Sequence, residues 1–349
     1  MKTTYRIFVL IVLFFMLAGL TAVGAREEYT RSFQKEFPVK SGDKIILDNK
    51  FGEIRCNNWE KDLVNIQVTI TVTARSEEEA QKIFDRIKVD IASQSGQVTA
   101  KTTIGESRFS NSSFSIDYAV MMPAYLDLDL QNKFGDVFLN ELSGKANLQV
   151  SYGALDVKKL NNSDNLITVK FGSSDITWMK GAVMTLEYSN AEIGYSGSLR
   201  LNSKYSDLNA DQVIWFKFDF EGGHLDVCNT SIFESRSRFS DLTVGKVEKT
   251  LSVDIQYGSC EVDEVPADFS SVSIKNRFGN VTVGISSEAS YLLDAHMEFC
   301  DLDFPKSKTR LTEHTEEVTS KTFRGTVGTN VNASSRVTVD SQYGNVSLE

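Results

Sequence analysis

Proline is nearly missing from this chain, with 4 in 349 residues, and cysteine (4), histidine (3) and tryptophan (3) are as scarce. Each shortage excludes something. Low proline beside 22 glycines and 22 phenylalanines excludes a mucin-like or disordered stalk and suits many strands joined by tight bends. Cys56, Cys228, Cys260 and Cys300 form no CxxC pair and are too sparse for a disulfide framework, although one pairing among them stays open. His224, His296 and His314 form neither HExxH nor an i, i+4 pair, which argues against a zinc site. Positive charge is also short. The formal net charge is −10, and a poor match for nucleic acid or an anionic lipid surface follows.

Long apolar runs occur once. Lys2 and Arg6 precede a mostly apolar stretch from Ile7 to Leu20, and Val23-Gly24-Ala25 offers small residues before the polar Arg26-Glu27-Glu28. This pattern predicts a signal peptide over 1–25, export to the periplasm or cell surface, and no membrane span after cleavage. An uncleaved anchor is the alternative, and it needs a longer apolar run. Removing Lys2 and Arg6 takes the net charge from −10 to −12.

What is abundant is self-similarity. LDNKFGEIRC, LQNKFGDVFL, LQVSYGALDV, ITVKFGSSDIT, LEYSNAEI, LNSKYSDLNA, FKFDFEGGHLDV, SRSRFSDLTV, VDIQYGSCEV, IKNRFGNVTV, AHMEFCDLDF and VDSQYGNVSL all read as strand, aromatic, small residue, polar residue, strand. The aromatics are Phe51, Phe134, Tyr152, Phe171, Tyr188, Tyr205, Phe220, Phe239, Tyr257, Phe278, Phe299 and Tyr343. A recurring period of this size marks stacked repeats. The small residue is expected to make the corner, because Gly reaches positive φ without strain, and the polar residue after it tolerates the same conformation. The aromatics are expected to stack as a column. The predicted fold is mainly β: a parallel β-helix or β-solenoid of about 18-residue repeats, with a small N-terminal α+β cap.

Residues 26–125 read as a first rung plus that cap. Val64, Ile66, Val68, Ile70 and Val72 alternate as a strand. Ser76 and Glu79 form a capping box before a helix whose apolar face is Ala80, Ile83, Phe84 and Ile87. Residues 126–349 read as the repeats, with an irregular loop or hairpin near 305–330. The chain ends within a rung at Leu348-Glu349, leaving an edge that motivates an end-to-end homodimer.

The sequence resembles the putative-adhesin family of exported bacterial proteins, related to GIN-type auto-transporter adhesin head domains. The resemblance rests on the KFGEI, KFGDV, RFGNV and QYGNV units, on the strand–helix–strand segment after the first unit, and on GTVG before the final VTVDSQYGNVSL. It implies a β-helical fold and an adhesive role, and it supplies no catalytic residues.

No catalytic or cofactor-binding residues are assigned from the sequence. Gly194-Tyr195-Ser196-Gly197 lacks nucleophile-elbow spacing, and Gly325-Thr326-Val327-Gly328 is too short for a phosphate loop. Glu53, Asp136, Asp207, Asp241 and Asp301 each stand two residues after an aromatic. Stacked, Asp136, Asp207, Asp241 and Asp301 become candidates for calcium, and paired carboxylates could cleave a glycosidic bond. The row is broken by Ala154, Ser173 and Ser259, and basic residues often stand three before the acid, which favours corner turns and solvated charge pairs. Trp59 and Trp178 are candidates for stacking on a glycan, whereas Trp215 in Val-Ile-Trp-Phe reads as core. The expected function is a non-enzymatic cell-envelope protein that binds an unidentified protein or glycan. The alternatives are a carbohydrate-active β-helix enzyme and a periplasmic structural or sensor protein.

Overall fold

The period-2 alternation runs through almost the whole chain and the backbone obeys it. In Asp127–Lys133, for instance, Leu128, Leu130 and Asn132 are buried while their neighbours are not. The computed structural model describes residues 26–105 and 113–349, and their strands join in one 25-stranded sheet. The expected signal peptide over 1–25 lies outside the described residues.

Each repeat unit contributes two strands that flank its aromatic. The strand before the aromatic pairs in parallel with its equivalent in the next unit: Asp127–Lys133 with Ala146–Ser151, then Asn165–Lys170, then Ala182–Glu187. The strand after it does the same, from Val137–Leu142 to Ala154–Leu160 and Ser173–Met179. Register keeps like on like. Leu130, Leu148, Ile167, Met184 and Leu201 face one another along one interior wall, and Leu139, Val157, Ile176 and Ile193 along the other. All of them are buried. Where the second wall narrows to Ala210, the first widens to Phe218, which packs edge-on against Phe233. Phe216 enters this core, while its neighbour Trp215, expected inside, is only half-buried.

Chain order and spatial order part company at both ends. The last unit is not at an edge. Ser335–Gln342 lies between Ser271–Arg277 and Tyr291–Glu298, in parallel with both. The final rung, expected to be bare unless the 305–330 segment or another copy covered it, is therefore paired on both sides. The first unit is likewise internal, with Lys44–Lys50 between Gln97–Ile104 and Asp127–Lys133.

Both ends close with antiparallel strands. At one, Ser113–Met122 pairs with Leu63–Ala74, which pairs with Glu27–Pro38. Helix α1 (Glu77–Phe84) packs Ala80, Ile83 and Phe84 beneath these strands; Ser76 Oγ accepts the Glu79 N–H at 3.3 Å, and Glu79 returns a bond from the Arg75 N–H at 3.0 Å. At the other, the segment expected as an irregular loop or hairpin forms ordered strands of the sheet: Ser320–Val327 pairs with Tyr291–Glu298 on one side and Thr309–Glu316 on the other. Among the described residues no helix is long and apolar enough to cross a membrane.

Candidate functional site

The corner between paired strands is built differently from the expectation. The left-handed residue is the aromatic itself. Phe51, Phe134, Tyr152, Phe171, Tyr188, Tyr205, Phe239, Tyr257, Phe278, Phe299 and Tyr343 all have φ between 49° and 63°. A non-glycine residue in this region is strained by about 1–2 kcal/mol. The glycine that follows is needed for close approach. A Cβ on Gly135 would lie 2.0 Å from the Gly52 carbonyl oxygen, and one on Gly172 2.0 Å from that of Gly153. Where Ser replaces Gly, its hydroxyl is used. Ser206 Oγ donates to the Lys204 carbonyl at 2.8 Å and accepts the Ser189 N–H at 3.0 Å.

The strain points each ring outward, and the rings stack in register on the surface. Phe51, Phe134, Tyr152, Phe171, Tyr188 and Tyr205 form one run, and Phe239, Tyr257, Phe278, Tyr343 and Phe299 a second, with centroids 4.9–5.3 Å apart. Phe114 closes the far end edge-on against Phe51. Each pair contributes about 0.5–1.5 kcal/mol, which offsets part of the backbone strain. The rings remain 38–63% exposed, so the column is a surface stripe and not part of the core. Stacked rings hide their faces and present their edges.

The stripe is interrupted once. Phe220 was expected to supply its ring, but the register sets Phe220 beside Ser203 and Glu221 beside Lys204. Phe220 is buried, and the position equivalent to Tyr205 is Gly222, with φ 71°. The misreading came from FDFEGG, where the last aromatic stands two residues too early and glycine takes the corner.

The acids two residues after the aromatic tie one unit to the next. Asp136 Oδ1 accepts the Ala154 N–H at 2.8 Å, Asp207 Oδ1 the His224 N–H at 2.8 Å, and Asp241 Oδ1 the Ser259 N–H at 3.1 Å. Asp301 instead holds Lys321 of the end hairpin, while its own N–H goes to Asn345 Oδ1 at 3.0 Å. Among the described residues no group of three or more His, Cys, Asp or Glu side chains is placed to hold a metal ion. Charge pairs run across units more than within them, as in Lys170–Glu187 at 2.9 Å and Lys217–Glu234 at 2.9 Å. The three-residue spacing that suggested Lys133/Asp136 pairing does not produce it; Lys133 lies over the Phe134 and Tyr152 rings.

The tryptophans separate. Trp59 is half-buried and its indole N–H closes a short turn on the Leu63 carbonyl at 2.7 Å, with Lys61 over the ring. Trp178 is half-buried and stacks on Tyr195 at 5.7 Å, with Lys159 beyond it. The four thiols are free. Burial pushes Cys56 and Cys260 up to about 12, so both stay protonated and inert.

No family model and no curated protein matches the chain. Solved structures similar to it include a putative adhesin from Parabacteroides merdae (11% identity, TM-score 0.27, covering 91% of this chain and 96% of that one). Others are a putative adhesin from Bacteroides fragilis (10%, TM-score 0.25, 91% and 97%) and a putative lipid binding protein from Parabacteroides distasonis (10%, TM-score 0.22, 91% and 96%). At such identities and TM-scores these likenesses carry no argument about function.

Proposed function

We propose that the chain is a non-enzymatic, exported cell-envelope protein built as a parallel β-solenoid, and that its outer aromatic stripe is a contact surface for a protein or glycan partner. One observation carries this reading. Eleven aromatic side chains are held at the surface by strained backbone, in register, where polar residues would serve solubility better. Large exposed apolar stripes mark interaction sites more often than accidents of folding. Parallel pairing at a period of 17 to 21 residues between Phe134 and Phe299, counting Gly222 in its registered place, supports the solenoid. We divide the chain into the leader 1–25, a first rung with its cap over 26–125, and the repeats over 126–349.

Protease shaving of intact cells, read with an antibody against residues 126–349, tests the reading. Loss of signal while a periplasmic control survives is the expected result. Survival until the outer envelope is broken would sink the adhesive role and leave a periplasmic scaffold or sensor.

A further inference from the structure

The break at Gly222 has the dimensions and surroundings of a binding slot. Neighbouring strands lie about 4.8 Å apart, so Tyr205 and Phe239, two rungs apart, leave about 10 Å between ring planes. A third ring needs about 3.5–4.0 Å on each side, and so one planar group fits when Tyr205, whose ring leans into the gap, swings back into line with the column. The flanking rings behave as walls missing a neighbour. Phe239 is 63% exposed, more than any other ring of the column. Tyr205 stands 21° from parallel with Tyr188, the largest tilt in the column, and leans over Gly222: a Cβ there would meet Tyr205 Cδ1 at 2.8 Å. Between the ends of the column, this is the one place where π faces, rather than edges, are open among the described residues.

The mouth has a charge preference. Lys204 faces Glu221 at 3.7 Å, while Arg238, the next side chain in that row, pairs with no carboxylate among the described residues. A cavity of about 320 Å³ opens beside the slot, where Lys204, Arg236 and Arg238 face Glu187, Asp219 and Glu221, and Arg238 alone of the three bases lacks a carboxylate partner among the described residues. Beyond it Lys275 and Arg277 lie near Asp254, while Arg236 bridges Asp219 at 3.5 Å and Asp254 at 3.9 Å. On a chain of net charge −10 this is a local basic cluster.

We propose that the slot at Gly222 takes the planar aromatic group of an anionic ligand, which completes the column between Tyr205 and Phe239 while Arg238 pairs with the anion. This rests on the stripe being a contact surface and names one specific subsite of it. An aromatic ring with a nearby carboxylate is the shared chemistry; it can come from a free aromatic acid or from an acidic segment of a partner polypeptide.

The test is calorimetric titration of the full chain with 4-hydroxyphenylacetate, with the capped tripeptide Glu-Tyr-Glu, and with tyramine as the cationic control. Millimolar or tighter binding of either anionic probe, with tyramine weaker, is expected. The better-bound anionic probe assigns the source. Arg238→Gln should weaken binding roughly tenfold, as loss of a charge-assisted contact does. Gly222→Phe supplies the missing ring and should abolish binding in the folded variant. If Gly222→Phe fails to fold, Phe239→Leu removes one wall and should abolish binding equally. No binding at millimolar concentration, equal binding of tyramine, or unchanged binding by Gly222→Phe overturns the proposal. None of these failures touches the wider stripe, which shaving and the ring variants discussed below test separately.

Discussion

Replacing Phe171 by glycine should harm the protein less than replacing it by alanine. This inverts the usual order, in which glycine in regular structure is worse by about 0.5–1 kcal/mol. Phe171 stacks on Tyr152 at 5.0 Å and on Tyr188 at 5.3 Å, at φ 53° and 45% exposure. Either substitution removes two stacking pairs, about 0.5–1.5 kcal/mol each, and about half the burial value of a phenylalanine, near 1 kcal/mol. Alanine keeps the left-handed strain; glycine relieves about 1–2 kcal/mol of it, less the extra freedom that glycine gives the unfolded chain. The net expectation is a loss of about 2–4 kcal/mol for alanine and about 0.5–1 kcal/mol less for glycine. Urea denaturation midpoints at unchanged slope measure the difference. Leu166, exposed in an ordinary strand, is the control, where alanine should win. Alanine above glycine at Phe171 would show that the corner conformation carries no strain, and the account of the corner would be wrong.

Other expectations are simpler. Gly135→Ala should cost about 3 kcal/mol or more by melting temperature or denaturant midpoint, because its Cβ meets a carbonyl of the neighbouring corner; Gly105→Ala, whose Cβ would meet nothing nearer than 3.7 Å, should cost far less. Asp136→Ala frees the Ala154 N–H and should lower stability by about 1 kcal/mol, with Asp136→Asn recovering most of it. Of the four thiols, exposed Cys228 should react first with a thiol reagent at mildly alkaline pH, whereas Cys56 and Cys260 should react only after unfolding. Burial raises Tyr118 and Tyr291 from the ordinary 10 to about 12. The folded state therefore holds these protons more tightly than the unfolded one. Their contribution should be complete below pH 10 and lost between 10 and about 12, seen as alkaline unfolding that tracks tyrosinate absorbance.

The repeat was legible because stacking demands the same residue types at the same place. Phe134, Tyr152 and Phe171 announce themselves, as do the capping pair Ser76 and Glu79. The corner was misassigned because Gly135 and its equivalents suggest positive φ, when they are there for close approach; only backbone coordinates separate those two reasons for glycine. Gly222 was hidden by Phe220, which mimics the column residue two positions early while serving the core. Spatial order at the ends was also beyond the sequence. Nothing local in VTVDSQYGNVSL says that it slots between the Phe278 and Phe299 units, because like units offer equivalent pairing edges. Of the acids read as a possible ion row, Asp136, Asp207 and Asp241 are corner acceptors, a role set by the neighbouring unit's N–H and invisible within one unit.

The most direct test of the central claim is a triple variant, Tyr152→Gln, Tyr188→Gln and Tyr257→Gln, which roughens the stripe on both sides of Gly222. Beads coated with wild type or variant are scored for adhesion to immobilised polysaccharides and proteins, after circular dichroism has shown both to be folded. The account predicts adhesion by the wild type that the folded variant loses. Adhesion by both alike would place the contact surface elsewhere and leave the aromatic column a purely structural device.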